Sequence, residues 1–333
     1  MGRNLHDGAR LALTGLAALA ATGAAAQVTT PIGDGIYARG GVEVEHYMYD
    51  DEEATGAYLD MDIGIATGTL FGLPVGVELG AEGFSEDESE SAFYGAAVLD
   101  TGFGLVGAGV PRFALDKYMD TPQIGGFRLI EVLDFGLIDG QGLSGLYYLA
   151  ASEVPYGLSY DLVRQNVAVG VTYHEFEDGG PKVLQGVVRG KAGMVELSLG
   201  GEYLDADGGD STFLTGSAEF QTARFDLGAS YVTLDASVDF GEWLDDDAAD
   251  GLASVGLDDL SASGDVTSTK VWATVRPLER LDVTASYMSF EEGRADVWGL
   301  SARYALAGAF IEAGAIDGIG DETLVQASFG LDF

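Results

Sequence analysis

Few side chains in this 333-residue chain are of a kind that does covalent chemistry. Its histidines are His6, His46 and His174, and it has no cysteine. A thiolate nucleophile, a thiolate zinc site and a disulfide scaffold are therefore excluded, and no H-E-x-x-H pair is present. His46 and His174 fall on different predicted strands and opposite faces, and no Ser-His-Asp arrangement can be argued from loops so far apart. Gly102, Gly104, Gly107 and Gly109 form a glycine-rich run without the G-x-G-x-x-G spacing that opens a helix; close strand packing or tight turning accounts for them. What the chain has in quantity is carboxylate, with 54 acidic residues against 16 basic and a formal charge of -38. Asp245, Asp246, Asp247 and Asp250 offer the hard oxygen ligands that Ca²⁺ takes, yet not at EF-hand spacing. A Ca²⁺ site on Asp245, Asp247 and Asp250 and a plain charged rim both fit. So acidic a chain would be repelled by the phosphates of a nucleic acid. The chemistry on offer is electrostatic, and the sequence reads as a non-enzyme with no other cofactor.

The elements that position these charges are strands. The last residues alternate, with Val325, Ala327, Phe329, Leu331 and Phe333 on one face and Gln326, Ser328, Gly330 and Asp332 on the other. Segments of the same kind recur along the chain: 36–49, 57–66, 75–84, 92–99, 104–112, 155–161, 167–176, 182–190, 195–204, 212–220, 224–234, 265–276, 281–290, 296–304 and 309–317. With the terminal segment they make 16 strands. Arg39, Glu43, Glu78, Arg189, Glu196, Asp226, Lys270, Arg303, Glu312 and Gln326 all fall on the polar face of their strands. Tight turns follow the even-numbered strands and longer acidic connections follow most odd-numbered ones. Two connections are long: residues 112–154, with no steady period, and the acidic stretch 235–264.

A sheet can cross hydrocarbon only if it closes, because every backbone polar group must be paired there. Its outer face must then be apolar, while the inner face of a wide barrel meets water, so each crossing alternates. The expected fold is thus all-β: a transmembrane antiparallel β-barrel of 16 strands. Tyr203, Tyr231, Tyr287, Trp298 and Tyr304 sit on the apolar faces, where interfacial girdles belong. A soluble β-sandwich also explains alternation, but it fits the strand number and strand lengths less well. Residues 1–26 have the form of a cleaved signal peptide: Arg3 and Arg10, the apolar run Leu11 to Ala20, then Ala24, Ala25 and Ala26. Residues 27–333 show no linker or composition break and read as one barrel domain. The hydrophobic share of 47% argues against disorder despite the charge.

The layout resembles the general porins of Gram-negative outer membranes, in particular the acidic alphaproteobacterial, Rhodobacter-like type. Two stretches carry the resemblance: YGLSYDLVRQNVAVGVTYHEFED at 156–178, similar to the strand–turn–strand that follows the third loop there, and the terminal LVQASFGLDF. It implies an outer-membrane homotrimer among lipids and lipopolysaccharide, recognised by the outer-membrane assembly machinery through Phe333. It implies that residues 112–154 fold into the pore, with Asp116, Asp120, Glu131 and Asp134 on the loop facing Arg39, Arg189, Lys270 and Arg303 on the wall, beside Glu43. It also implies passive diffusion of small hydrophilic solutes and ions. The scarcity of basic residues favours cations. A substrate-selective channel, and a plugged structural or adhesion barrel, are the alternatives.

Overall fold

The computed structural model describes residues 35–49, 52–85, 89–128, 142–151, 153–206, 209–236, 265–291, 296–318 and 323–333. Sixteen strands run in order: β1 (Ile36–Tyr49), β2 (Glu52–Leu70), β3 (Leu73–Ser85), β4 (Ser89–Asp100), β5 (Leu105–Val110), β6 (Pro155–Arg164), β7 (Val167–Phe176), β8 (Lys182–Ala192), β9 (Val195–Ala206), β10 (Gly209–Gln221), β11 (Phe225–Ala236), β12 (Asp265–Leu278), β13 (Leu281–Phe290), β14 (Val297–Ala305), β15 (Phe310–Asp317) and β16 (Leu324–Asp332). Each pairs antiparallel with the next, and β1 pairs with β16, so the sheet is a closed barrel. Closure leaves no edge, and the last residue takes part: Gly40 N–H donates to the Phe333 carbonyl at 2.9 Å and Phe333 N–H donates to that of Gly40 at 3.0 Å.

Several strands run further than alternation indicates. β2 begins at Glu52, ahead of the segment 57–66 that alternation indicates, because Glu52 pairs with Tyr49 across a very short connection. Its other end reaches Leu70, where Phe71 (φ 52°) and Gly72 (φ 84°) form a two-residue turn with both central residues left-handed. β4 likewise starts at Ser89, held by pairing to Ser85. Ladder hydrogen bonding thus carries strands through residues of poor strand propensity.

The barrel is inverted in polarity. Leu79, Phe93, Leu158, Val188, Leu199, Leu214, Leu300, Ile311 and Phe329 are exposed on its outside, while Glu43, Gln185, Glu202, Ser230, Lys270, Ser301 and Gln326 are buried on its inside. Tyr203, Tyr231, Trp298 and Tyr304 are exposed on the outer face, and Tyr287 packs edge-on against Trp298 with ring centroids 5.9 Å apart. Inside, aromatic rings cover glycines on the neighbouring strand. A Cβ on Gly64 would lie 1.8 Å from the Tyr37 ring, one on Gly228 2.1 Å from Trp272, and one on Gly330 2.2 Å from Phe310. Among the described residues no helix is long and apolar enough to cross a membrane.

Between β5 and β6 the chain turns inward. It forms a short helix α1 (Ala114–Tyr118), a 3-10 turn at Ile124–Gly126, and helix α2 (Leu143–Ala151). These elements belong to the long third loop expected at 112–154, and its described residues, 112–128 and 142–151, lie against the lumen face of the wall.

Candidate functional site: the lumen loop and the wall it meets

The loop is anchored first by its root. Phe113 and Leu115 are fully buried, and Phe113 packs on His174 of β7 with centroids 4.4 Å apart and edge-on against Tyr94 and Tyr148 at 6.2 and 6.4 Å. The ring of His174 lies 2.8 Å by Nε2 from the Pro111 carbonyl. The first amide groups of α1 have no partner within the helix, and the wall supplies them: Ala114 N–H donates to Thr172 Oγ1 at 3.3 Å and Leu115 N–H to Gln185 Oε1 at 2.9 Å.

Cations of the loop then meet carboxylates of the wall. Arg112 lies 2.5 Å from Asp60, 3.2 Å from Asp62 and 3.1 Å from Asp116 four residues on. Lys117 lies 3.1 Å from Asp161 of β6 and 3.4 Å from Glu78 of β3. Burial works against the charge on Lys117, yet Asp161 and Glu78 outweigh it and hold the ammonium protonated well above the usual lysine range. Tyr118 donates to the other oxygen of Asp161 at 2.8 Å. Burial pushes the Asp116 carboxyl well above the ordinary range, and Glu82, Asp60 and Asp62 add to this against the pull of Arg112. Further on, Arg128 sits 3.9 Å from Glu43 and 4.8 Å above the Tyr58 ring.

On the far side the contact is backbone against backbone. A Cβ on Gly299 would lie 2.2 Å from the Gly125 nitrogen, and one on Gly314 would lie 1.7 Å from the Gly125 oxygen. These glycines of β14 and β15 leave a seat into which the 3-10 turn fits, and Gly125 itself is left-handed at φ 63°. Gln326 of β16 donates to the Gly126 carbonyl at 3.0 Å. The start of α2 is held by Glu202 of β9. Its carboxylate accepts from Leu143 N–H at 2.8 Å, Ser144 N–H at 3.2 Å, Gln185 Nε2 at 2.6 Å and the Ser144 hydroxyl. A wall carboxylate thus caps a loop helix at its positive end.

The residues read from sequence as site candidates are dispersed. Arg39 of β1 pairs with Asp62 at 2.8 Å, Arg189 of β8 with Glu196 at 2.5 Å, and Arg303 of β14 with Asp332 at 2.6 Å. Lys270 of β12 is buried, donating to Thr121 Oγ1 at 2.6 Å and the Pro122 carbonyl at 2.9 Å of the loop. The four stand on separate parts of the wall and form no single basic cluster. Glu43 is buried opposite Arg128, Asp116 belongs to the Arg112 cluster, and Asp120 is exposed. Glu131, Asp134, Asp245, Asp247 and Asp250 lie outside the described residues, as does the segment 1–26. Where the loop leaves β5 the charge layout is the reverse of the one the family resemblance implies: the loop brings Arg112 and Lys117, and the wall brings Asp60, Asp62, Glu78 and Asp161. Alternation puts Asp60, Asp62 and Glu78 on lumen faces, but no sequence signal tells which lumen residues the loop meets. Glu202 and Gln185 carry no signal beyond their polar-face position.

The barrel superposes on solved structures. A triple mutant of Rhodopseudomonas blastica porin matches over 90% of this chain and 100% of its own, with TM-score 0.61 and 16% identity. The fold is that of a porin. A double mutant of the same porin matches with TM-score 0.60 and 15% identity over the same shares of the two chains. A further variant with a lysine introduced matches with TM-score 0.58 and 15% identity, again over 90% of this chain and 100% of that one. The porin fold is reached here without sequence kinship strong enough to register otherwise: no family model matches the chain, and no curated protein does.

Proposed function

We propose that this chain is a diffusion channel of the Gram-negative outer membrane, passing small hydrophilic solutes and ions with a preference for cations. The observation that carries the proposal is the inverted polarity of a closed 16-strand barrel, with an apolar exterior and a charged interior. Such a molecule is stable when lipid surrounds it and water reaches its lumen. The porin fold supports the same reading. The excess of acidic residues, with net charge -38, favours entry of cations over anions. Cleavage after residue 26, assembly into a trimer, contact with lipopolysaccharide, and recognition of Phe333 by the assembly machinery belong to this proposal, as does the absence of catalysis. Ca²⁺ at Asp245, Asp247 and Asp250 is a subsidiary part of it, tested by Ca²⁺ titration of a D245N/D247N/D250N variant.

A second reading has an observation in its favour. Lumen-facing Phe213, Val232, Met288 and Ile316 are buried, and the loop touches β1–β3, β6–β9 and β12–β16. This favours a barrel that its own loop narrows severely or plugs. Single-channel recording of the detergent-extracted protein in a planar bilayer decides between them. Open steps in roughly equal thirds with a cation-selective reversal potential fit a trimer of channels; silent bilayers from folded, heat-modifiable protein fit the plug.

A further inference from the structure

Three of the ion pairs between loop and wall are asymmetric in their exposure, whereas Lys117 and Asp161 are equally buried and, further along, Glu43 is sunk behind the more exposed Arg128. The Arg112 side chain is 6% exposed, whereas its partners Asp60 and Asp62 are 37% and 18% exposed. Lys117 is 8% exposed against 18% for Glu78. In each of these three pairs the cation is sunk into the loop–wall junction and the carboxylate stands nearer the water of the lumen. An ion pair acts on a permeating ion as a dipole, and because the Coulomb energy falls with distance the end nearer the lumen water dominates.

The same junction holds a small cavity lined by Tyr37, Arg39, Asp62, Glu78, Arg112 and Lys117. Arg39 is the one well-exposed cation here, and it already spends its charge on Asp62 at 2.8 Å. Across the lumen, Lys270 is 1% exposed and its ammonium donates to Thr121 and Pro122, so it too is withdrawn from water. Arg189 and Arg303 keep a third of their surface, but both are in contact with carboxylates.

We infer that the wall carboxylates Asp60, Asp62 and Glu78 are the specificity-determining residues of the channel, selecting cations, and that Arg112 and Lys117 of the loop hold them in place from behind. The loop carboxylate Asp116, 12% exposed beside Arg112, contributes less. At the root of the loop the field then runs opposite to an acidic loop facing a basic wall. The inference rests on the reading of the barrel as a diffusion channel.

The test is the potassium-to-chloride permeability ratio, from reversal potentials of the full-length protein in planar bilayers under a salt gradient. In D60N/D62N the ratio falls about threefold or more, and further than in D116N. E78Q, a single neutral substitution that spares the Arg112 contacts, lowers it in the same direction and serves if the double variant does not fold. A ratio unchanged in heat-modifiable D60N/D62N or E78Q barrels, or one that falls more in D116N, overturns the inference. A wild-type protein that never conducts removes the channel reading itself, and the inference with it; a conducting wild type with insensitive variants removes the inference alone.

Discussion

Gly125 of the lumen loop and Gly314 of β15 touch through their backbones: a Cβ on Gly314 would stand 1.7 Å from the Gly125 carbonyl oxygen. No rotamer relieves such a contact, because the atom met is main chain. The loop is therefore moulded to the wall here rather than merely hydrogen-bonded to it.

Gly314→Val is expected to unseat the 3-10 turn while leaving the β14–β15 ladder intact. Overpacking of this kind costs about 1–3 kcal/mol. Single-channel conductance should differ from wild type, and protease should cut the loop faster, in a barrel that still shows heat-modifiable migration. Unchanged conductance and cleavage would show that the turn does not depend on this seat.

Glu202 is the counterpart anchor for α2, and its carboxylate is buried among four donor groups. Glu202→Ala leaves Leu143 N–H, Ser144 N–H and the Gln185 amide without their shared acceptor. Buried donors left unpaired cost about 1–3 kcal/mol each at most, and the set is partly rescued by water. A loss of about 2–4 kcal/mol in the unfolding free energy is expected, with Glu202→Gln losing less; denaturant titration in detergent measures both.

Acidity should act on the loop root through Asp116. Its folded-state pKa is raised by burial, so the folded state binds a proton that the unfolded chain has already released. The stabilisation is complete below the ordinary carboxylate range, about pH 4, and is lost as pH rises through the raised folded value. Hydrogen exchange at residues 113–118 should accelerate over that interval in wild type, after correction for the intrinsic pH dependence of exchange. Asp116→Asn should flatten the response, and an equal response in both proteins would place the titrating group elsewhere.

Two adjacent residues of β9 test the inverted polarity. Leu199 is 66% exposed on the outer face, while Ser198 faces the lumen beside Arg189. Arginine at Leu199 should cost about 2–4 kcal/mol in folding into lipid vesicles if it lies near the bilayer midplane. Arginine at Ser198 should cost well under half of that. Equal penalties would contradict a lipid-facing outer surface.

Much of this architecture was legible beforehand because strand alternation is local. A period of two, repeated 16 times with tight turns after even strands, specifies an alternating sheet, and the demand that hydrocarbon leave no polar edge unpaired closes it. The faces of Arg39, Glu43, Lys270 and Arg303 follow from the same period, as does the position of the long loop. Their partners do not. Ser144 and Glu202 are 58 residues apart, and Thr121 and Lys270 are 149 apart. Which lumen residue meets which loop residue depends on barrel stagger and on the path of a segment that has no period of its own. Charge sign along the chain was determined by the sequence alone. Whether each charge stands in water or is sunk behind its partner, as Arg112 is behind Asp60, was decided only when the loop folded into the barrel, because exposure is a property of the surfaces that tertiary packing brings together.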